Sequence, residues 1–341
     1  MKNILVTGGA GYIGSHAILD LIANNYNVVI ADNFSNSSPL VIKKLEELSG
    51  KTLPFFDVDI RDKNKLTNIF STFNFDGVIN FAGLKAVGES VEEPLSYYNN
   101  NVCGMINLLE VMAEYKVFNL VFSSSATVYG IPDTMPLLET NSMGAINPYA
   151  RTKKIIEEIL RDLAQSSDEW KIIALRYFNP LGAHKSGEIG ENPNGIPNNL
   201  APYITQVAAG KLDKLYVFGN DYDTPDGTCI RDYVHINDLA SGHTAALNTL
   251  LKNYNLKNNF EAINLGSGKG YSVFEIIKNF EAVIGRTIPY EIISRRAGDL
   301  DVSLADVSKA KRLLGWEPTY SIKEMCADVW RWQEKNPNGY V

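Results

Sequence analysis

The sequence predicts an α/β fold, a doubly wound parallel sheet joined to a smaller C-terminal α/β unit. Short β-rich apolar runs alternate with amphipathic segments through the first half of the 341 residues, the pattern of parallel strands covered by helices on both faces. A glycine cluster separates the first run from the first amphipathic segment. After Asn179 the alternation stops, and residues 183–202 become rich in Gly, Pro and Asn, as expected where loops open a second unit.

Strands are expected at Ile4–Thr7, Asn27–Ala31, Pro54–Val58, Gly77–Asn80, Asn119–Ser123 and Lys171–Arg176, each a near-continuous apolar run of buried-strand length. The segment Asn264–Gly268 reads as a return to the same sheet. The expected division is a cofactor-binding unit, residues 1–180 with a segment near 233–270, and a substrate-binding unit, 181–341. A C-terminal helix is expected over Ile322–Glu334. Pro94–Glu114 and Tyr149–Leu163 read as amphipathic helices, which establishes only that one side of each is buried.

The net charge of −7 argues against a general nucleic-acid binder, which carries a basic footprint. Met1-Lys2-Asn3 runs directly into the first strand without a signal-peptide pattern. No apolar run reaches transmembrane length. Cys103, Cys229 and Cys326 have neither disulfide nor zinc spacing, so no metal site is expected. A reducing, cytoplasmic setting with neither nucleic acid nor membrane as partner follows as the expectation.

Thr7-Gly8-Gly9-Ala10-Gly11-Tyr12-Ile13-Gly14 follows the first strand and opens a helix. Glycines there permit a tight turn and let backbone N–H groups approach a pyrophosphate at the helix N-terminus. That strand-before, helix-after context makes the motif a Rossmann-like dinucleotide fingerprint. Asp32 ends the second strand, 18 residues beyond Gly14, where an acid accepts from ribose hydroxyls and repels a 2′-phosphate. NAD is therefore favoured over NADP. Asp59 and Ile60 are placed to flank adenine, and Phe81-Ala82-Gly83-Leu84-Lys85 to lie along the cofactor.

Ser123-Ser124-Ser125 ends the fifth strand, where functional groups of such sheets gather. Downstream, Tyr149 and Lys153 stand one helical turn apart on one face. An ammonium beside a phenol, joined by a nicotinamide cation, lowers a tyrosine pKa that otherwise lies near 10. Tyr149 then reads as a base, Lys153 as its electrostatic partner, and a hydroxyl of the serine cluster as a relay to substrate oxygen.

The motifs TGGAGYIGSH, FAGLKAVGES, SSSATVYG, NPYARTK, RYFNPLGAH, GIPNNLAPYI, GTCIRDYVH and RRAGDL span the chain. By them it resembles the extended short-chain dehydrogenase/reductase family, in its nucleotide-sugar 4-epimerase branch. The resemblance implies that Tyr149, Lys153 and Ser125 are catalytic, with Lys153 also holding the nicotinamide ribose. It implies NAD contacts at Gly8, Gly11, Tyr12, Ile13, Gly14, Asp32, Asn33 and Asn36. Further contacts are implied at Asp59, Ile60, Phe81, Ala82, Gly83, Lys85, Asn100 and Ser123. Phe178 and Asn179 would lie between cofactor and sugar. Asn199, Leu200, Tyr216, Phe218, Arg231, Arg296 and Asp299 would hold UDP, the two arginines suiting a diphosphate. Lys85, Ser125 and Tyr149 would also reach the substrate.

The activity implied is NAD-dependent interconversion of UDP-glucose and UDP-galactose through a 4-keto sugar. Ser303 falls where the branch controls room beside the sugar's 2-substituent, so UDP-GlcNAc and UDP-GalNAc are also expected to fit unless Leu304 or Tyr271 refills the space. A homodimer across Pro94–Glu114 and Tyr149–Leu163 is implied as well. Two other readings compete. A nucleotide-sugar 4,6-dehydratase would carry an Asp-Glu pair just after the active-site hydroxyl, where this chain has Ala126-Thr127-Val128. A catalytically silent NAD sensor would be marked by loss of Tyr149, Lys153 or Ser125, all present here.

Overall fold

A computed structural model describes residues 1–340 except 194, 196, 198, 253–255 and 297. Two positions of the GIPNNL segment, Ile196 and Asn198, and Ala297 of RRAGDL thus lie outside the described residues. The expected doubly wound sheet is present. Its strands are β1 (Asn3–Thr7), β2 (Asn27–Asp32), β3 (Phe55–Asp57), β4 (Gly77–Asn80), β5 (Asn119–Ser125) and β6 (Lys171–Tyr177), with Phe260–Leu265 as a seventh. All pairings are parallel. Beyond β6 come β7 (Asn179–Leu181), β8 (Leu215–Phe218) and β9 (Ile230–His235). The seventh sheet strand is β10, and β11 (Gly270–Ser272), β12 (Tyr290–Ile293) and β13 (Val302–Ser303) follow.

The sheet order is β10-β6-β5-β4-β1-β2-β3. The order reverses between β1 and β4, so a crevice opens there at the carboxyl ends of the strands. Gly8, Asp32, Phe81, Ser123–Ser125 and Phe178 all sit at those ends. Period-two alternation divides β1 between two cores. Ile4 and Val6 pack on the face covered by helices Tyr12–Ala23 and Ile236–Leu251. Leu5 packs on the face covered by Lys63–Thr72, Gly104–Glu114 and Pro148–Ser166. Helix Ile236–Leu251 and β10 come from the C-terminal half.

Several elements differ from the sequence expectation: the returning strand β10 lies mostly upstream of Asn264–Gly268, and β3 is shorter than Pro54–Val58. β5 runs two residues further, carrying Ser124 and Ser125 into the strand, because β6 pairs with it through Ser125↔Tyr177. A helix begins at Leu200 inside the stretch expected to be loop. The Pro94–Glu114 helix contains a π turn over Tyr98–Cys103, a distortion that recurs at functional sites. The smaller unit has its own core, with Ile204, Val217, Ile276, Phe280 and Met325 at its centre, beneath sheet β11-β9-β13, which β7 joins through β9, and the β12-β8 pair.

Candidate active site

Asn147 caps the Pro148–Ser166 helix by accepting from the Ala150 N–H at 2.9 Å, and Pro148 takes the first helical position. This start sets Tyr149 in the first turn and Lys153 one turn deeper. Both side chains are buried. The Lys153 ammonium donates to the Ser123 carbonyl at 2.7 Å. It lies 4.9 Å from the centre of the Phe122 ring and 6.0 Å from that of Tyr149. Ser125 hydrogen-bonds the Tyr149 phenol and receives the Thr127 hydroxyl at 3.0 Å.

Burial pushes the Tyr149 phenol up, while its hydrogen bond with Ser125 acts the other way. Burial also pushes Lys153 down to about 8, with Glu157 opposing it. The expectation of a phenol already acidified by its lysine is therefore corrected. In the protein alone, desolvation of the phenolate outweighs an ammonium that is turned to a backbone carbonyl. A phenolate at this position needs further positive charge in the crevice.

The glycine turn is tightly built. Gly8 has φ +68°, and a Cβ on it would stand 2.6 Å from the Ala82 nitrogen. A Cβ on Gly14 would stand 2.4 Å from the Gly8 carbonyl oxygen. Gly11 precedes the Tyr12–Ala23 helix without any side-chain cap, so the first-turn N–H groups face the crevice, with Tyr12 and Ile13 beside them. The Tyr12 hydroxyl is used at the unit boundary, donating to the Gly182 carbonyl at 2.6 Å.

Asp32 accepts from the Ala10 N–H, the Phe34 N–H and the Ser37 hydroxyl, each at 2.9 Å. It locks the glycine turn to the loop carrying Asn33 and Asn36, a task beyond the ribose contact read from sequence. Asn33 donates to Asp59 at 3.0 Å, and the Arg61 guanidinium holds the Asp59 carboxyl well below the usual range. The Ile60 side chain packs in the core under Gly104. Phe81 packs on His243 at 4.7 Å between ring centres, and Ala82 lies over Gly8. Asn100 donates to Asn101, and Ser123 bonds the Tyr177 hydroxyl.

The smaller unit carries two arginines of the expected site. Arg231 on β9 pairs with Asp299 at 2.5 Å, and Arg296 reaches the same carboxylate at 3.4 Å. Arg296 also lies 4.9 Å over the Phe218 ring. Ser303 on β13 and Tyr271 on β11 are both register partners of Arg231, so the three side chains share one sheet face. Lys85, past β4, pairs with Glu191 at 3.1 Å, and Asn199 donates to the same oxygen at 2.7 Å. Leu200 packs on the smaller core. Phe178 is buried and Asn179 exposed at the join of β6 and β7, while Tyr216 is exposed on β8.

This layout has counterparts across known proteins. The family model described as GDP-mannose 4,6 dehydratase matches residues 5–329. UDP-glucose 4-epimerase of Bacillus subtilis (strain 168) is 54% identical over 337 residues, covering 99% of this chain and 98% of that protein. The UDP-glucose-4-epimerase of Stenotrophomonas maltophila, solved with NAD and formylated UDP-arabinopyranose, superposes with TM-score 0.96 at 46% identity over 99% of both chains. That of Bifidobacterium longum, in complex with NAD⁺ and UDP, gives 0.94 at 47% over 99% of this chain and all of its own. The chain belongs to the UDP-glucose 4-epimerase family.

Within that epimerase family the dehydratase description of the broader match carries less weight than the local chemistry. Ala126–Tyr129 forms a 3₁₀ turn directly after Ser125, and Ala126, Thr127 and Val128 provide neither acid nor base. Sequence reasoning missed four side chains that organise this candidate site. Asn101, buried in the π turn, donates to the Leu84 carbonyl and the Thr152 hydroxyl, both at 3.0 Å, and so ties the loop after β4 to the helix that carries Tyr149 and Lys153. Glu191 bridges Lys85 and Asn199. Glu157 and Arg176 form a buried ion pair beneath the serines. An acid four residues after Lys153, on the apolar face of its helix, was the available signal for Glu157.

Proposed function

We propose that this chain interconverts UDP-glucose and UDP-galactose by NAD-dependent inversion at C4. The observation that carries the reading is the buried Tyr149–Lys153–Ser125 cluster, joined to the glycine turn through the Ala82-Gly83 segment, with the Arg231–Asp299 pair supplied by the smaller unit. The turn fits a dinucleotide: Gly8 and Gly14 have no room for a side chain, so the turn stays tight, and the uncapped N–H groups suit a pyrophosphate. NAD⁺ bound there would supply a reversible two-electron acceptor for the sugar carbon.

The residues of the chain do the rest. Tyr149 takes the proton of the 4-hydroxyl, and Ser125 bridges phenol and sugar. Lys153 supports the phenolate and holds the nicotinamide ribose. Asp32, Asn33, Asn36, Asp59 and the backbone at Ile60 hold the adenosine half. Phe81–Gly83, Lys85, Asn100, Ser123 and Phe178 line the rest of the cofactor. Arg231 and Arg296 exchange Asp299 for the diphosphate, while Asn199, Leu200, Tyr216 and Phe218 hold the uridine. Binding energy from this remote group keeps the 4-keto sugar in place while it turns over. Incubating purified protein with UDP-glucose deuterated at C4, without added NAD, tests the reading. A UDP-galactose mixture with C4 deuterium retained is expected; no epimerisation by folded, NAD-containing protein overturns it.

Acetamido sugars are included in the proposal. Ser303 lacks the ring that would fill the space beside Arg231, and Leu304 packs instead against Gly270. Tyr271 stands on the other side of Arg231. UDP-GlcNAc turnover is expected, and Ser303→Tyr should suppress it selectively; no turnover of UDP-GlcNAc beside brisk turnover of UDP-glucose ends this part. A homodimer is supported by Val87, Val91, Leu95 and Ile106, all exposed along residues 87–106. Light scattering at the monomer mass would reject it. The cytoplasmic setting follows from the cysteine usage, and among the described residues no helix is long and apolar enough to cross a membrane.

A further inference from the structure

We propose that Glu157 is a positioning residue of the epimerisation. Paired with Arg176, it fixes Ser124 and keeps a negative charge one helical turn from Lys153, so that the ammonium stays charged on the Ser123 carbonyl. This rests on the assignment of Lys153 to the reaction.

Glu157 is fully buried and Arg176 nearly so. The Arg176 Nε donates to one carboxylate oxygen at 2.9 Å and Nη2 to the other at 2.6 Å, a bidentate geometry that holds both planes. The Ser124 hydroxyl donates to Glu157 at 2.5 Å. Arg176 is held in turn by the Glu139 carbonyl, the Met143 sulfur and the face of the Tyr129 ring. Ser124 lies between Ser123, whose carbonyl receives Lys153, and Ser125, whose hydroxyl meets Tyr149. The pair therefore anchors the strand end from which two of the site's contacts are made.

Stability alone explains such a pair poorly, since replacing a buried ion pair by apolar groups is often neutral or favourable. Its position supplies another reason. Around Lys153 stand Tyr149 and Glu157 from its own helix, the Ser123 carbonyl and Phe122 ring from β5, and Gly83 past β4. Arg176 and Tyr177 of β6 reach the group through Glu157 and Ser123. Asn101 adds its neutral amide from the π turn. Among these, Glu157 is the acid that opposes the effect of burial on Lys153.

The test is the kcat–pH profile for UDP-glucose, read with the NAD content and thermal unfolding of each variant. Glu157→Gln is expected to move the alkaline limb down by about one pH unit, the size typical of a neighbouring charge, with NAD retained. Glu157→Asp keeps the charge, so its limb should stay near that of the wild type while kcat falls. Where Glu157→Gln does not fold, Glu157→Met with Arg176→Met removes the ion pair whole, leaving neither of its members without the other, and reports the same limb. A limb unmoved in folded Glu157→Gln or in the double variant overturns the proposal. Absence of any epimerisation by the wild type would instead overturn the reading of the site itself.

Discussion

Lys153 and Arg296 are both cations of the proposed site, yet they are held in opposite ways. Lys153 is buried with its ammonium on a backbone carbonyl, whereas the Arg296 side chain is 54% exposed and shares Asp299 with Arg231. A buried, prearranged charge needs no reorganisation when the reaction begins. An exposed pair is worth little by itself, and its arginine is readily handed from a carboxylate to a diphosphate. The difference matches a reaction that needs a stationary charge beside its proton acceptor and a substrate that arrives and leaves.

The contrast can be broken in stages. Tyr149→Phe should lower kcat by roughly 10²–10⁴-fold, the usual weight of general acid–base catalysis, while NAD released on denaturation stays stoichiometric. Next is the pH dependence of Lys153, whose folded pKa of about 8 lies below the free-lysine value of 10.5. Between those values the unfolded chain binds more protons, so wild-type stability relative to Lys153→Met should rise with pH. Activity should fall over the same range as the ammonium is lost. Urea melts and kcat measured across that window check both signs.

Arg231→Gln should raise KM for the UDP-sugar by about 10–100-fold, the worth of one charged hydrogen bond, with kcat changed less. Arg296→Gln, on the more exposed partner, should raise KM less than Arg231→Gln does. A larger effect at Arg296 would reverse the comparison. Smallest of all, Ser272→Ala removes the cap of helix Val273–Ile284 and should lower stability by about 1 kcal/mol without altering KM, as denaturant titration and kinetics would show.

The glycine turn, Asp32 and the Tyr149–Lys153 spacing were legible because each is a short-range pattern with its own physical reason. Six of the seven main-sheet strands were legible for the same reason, and the returning β10 was signalled only near its end at Asn264. What escaped was long-range. Arg176 sits in an apolar run and reads as the ragged end of a strand, until β6 brings it beside Glu157. Asn101 gains meaning only through a π turn that propensity does not announce. The direction of the Tyr149 shift was misread because the sequence shows a lysine four residues away but neither the depth of burial nor the carbonyl that claims the ammonium.

The first half of the chain is finished by the second: β10 covers the outer edge of β6, and helix Ile236–Leu251 roofs one face of the main sheet. A growing chain released only to residue 180 would present an open strand edge and an uncovered apolar face, the features that invite aggregation. Synthesis must therefore run past Leu265 before the main sheet can close, so the nucleotide fold is completed only after much of the smaller unit has been made.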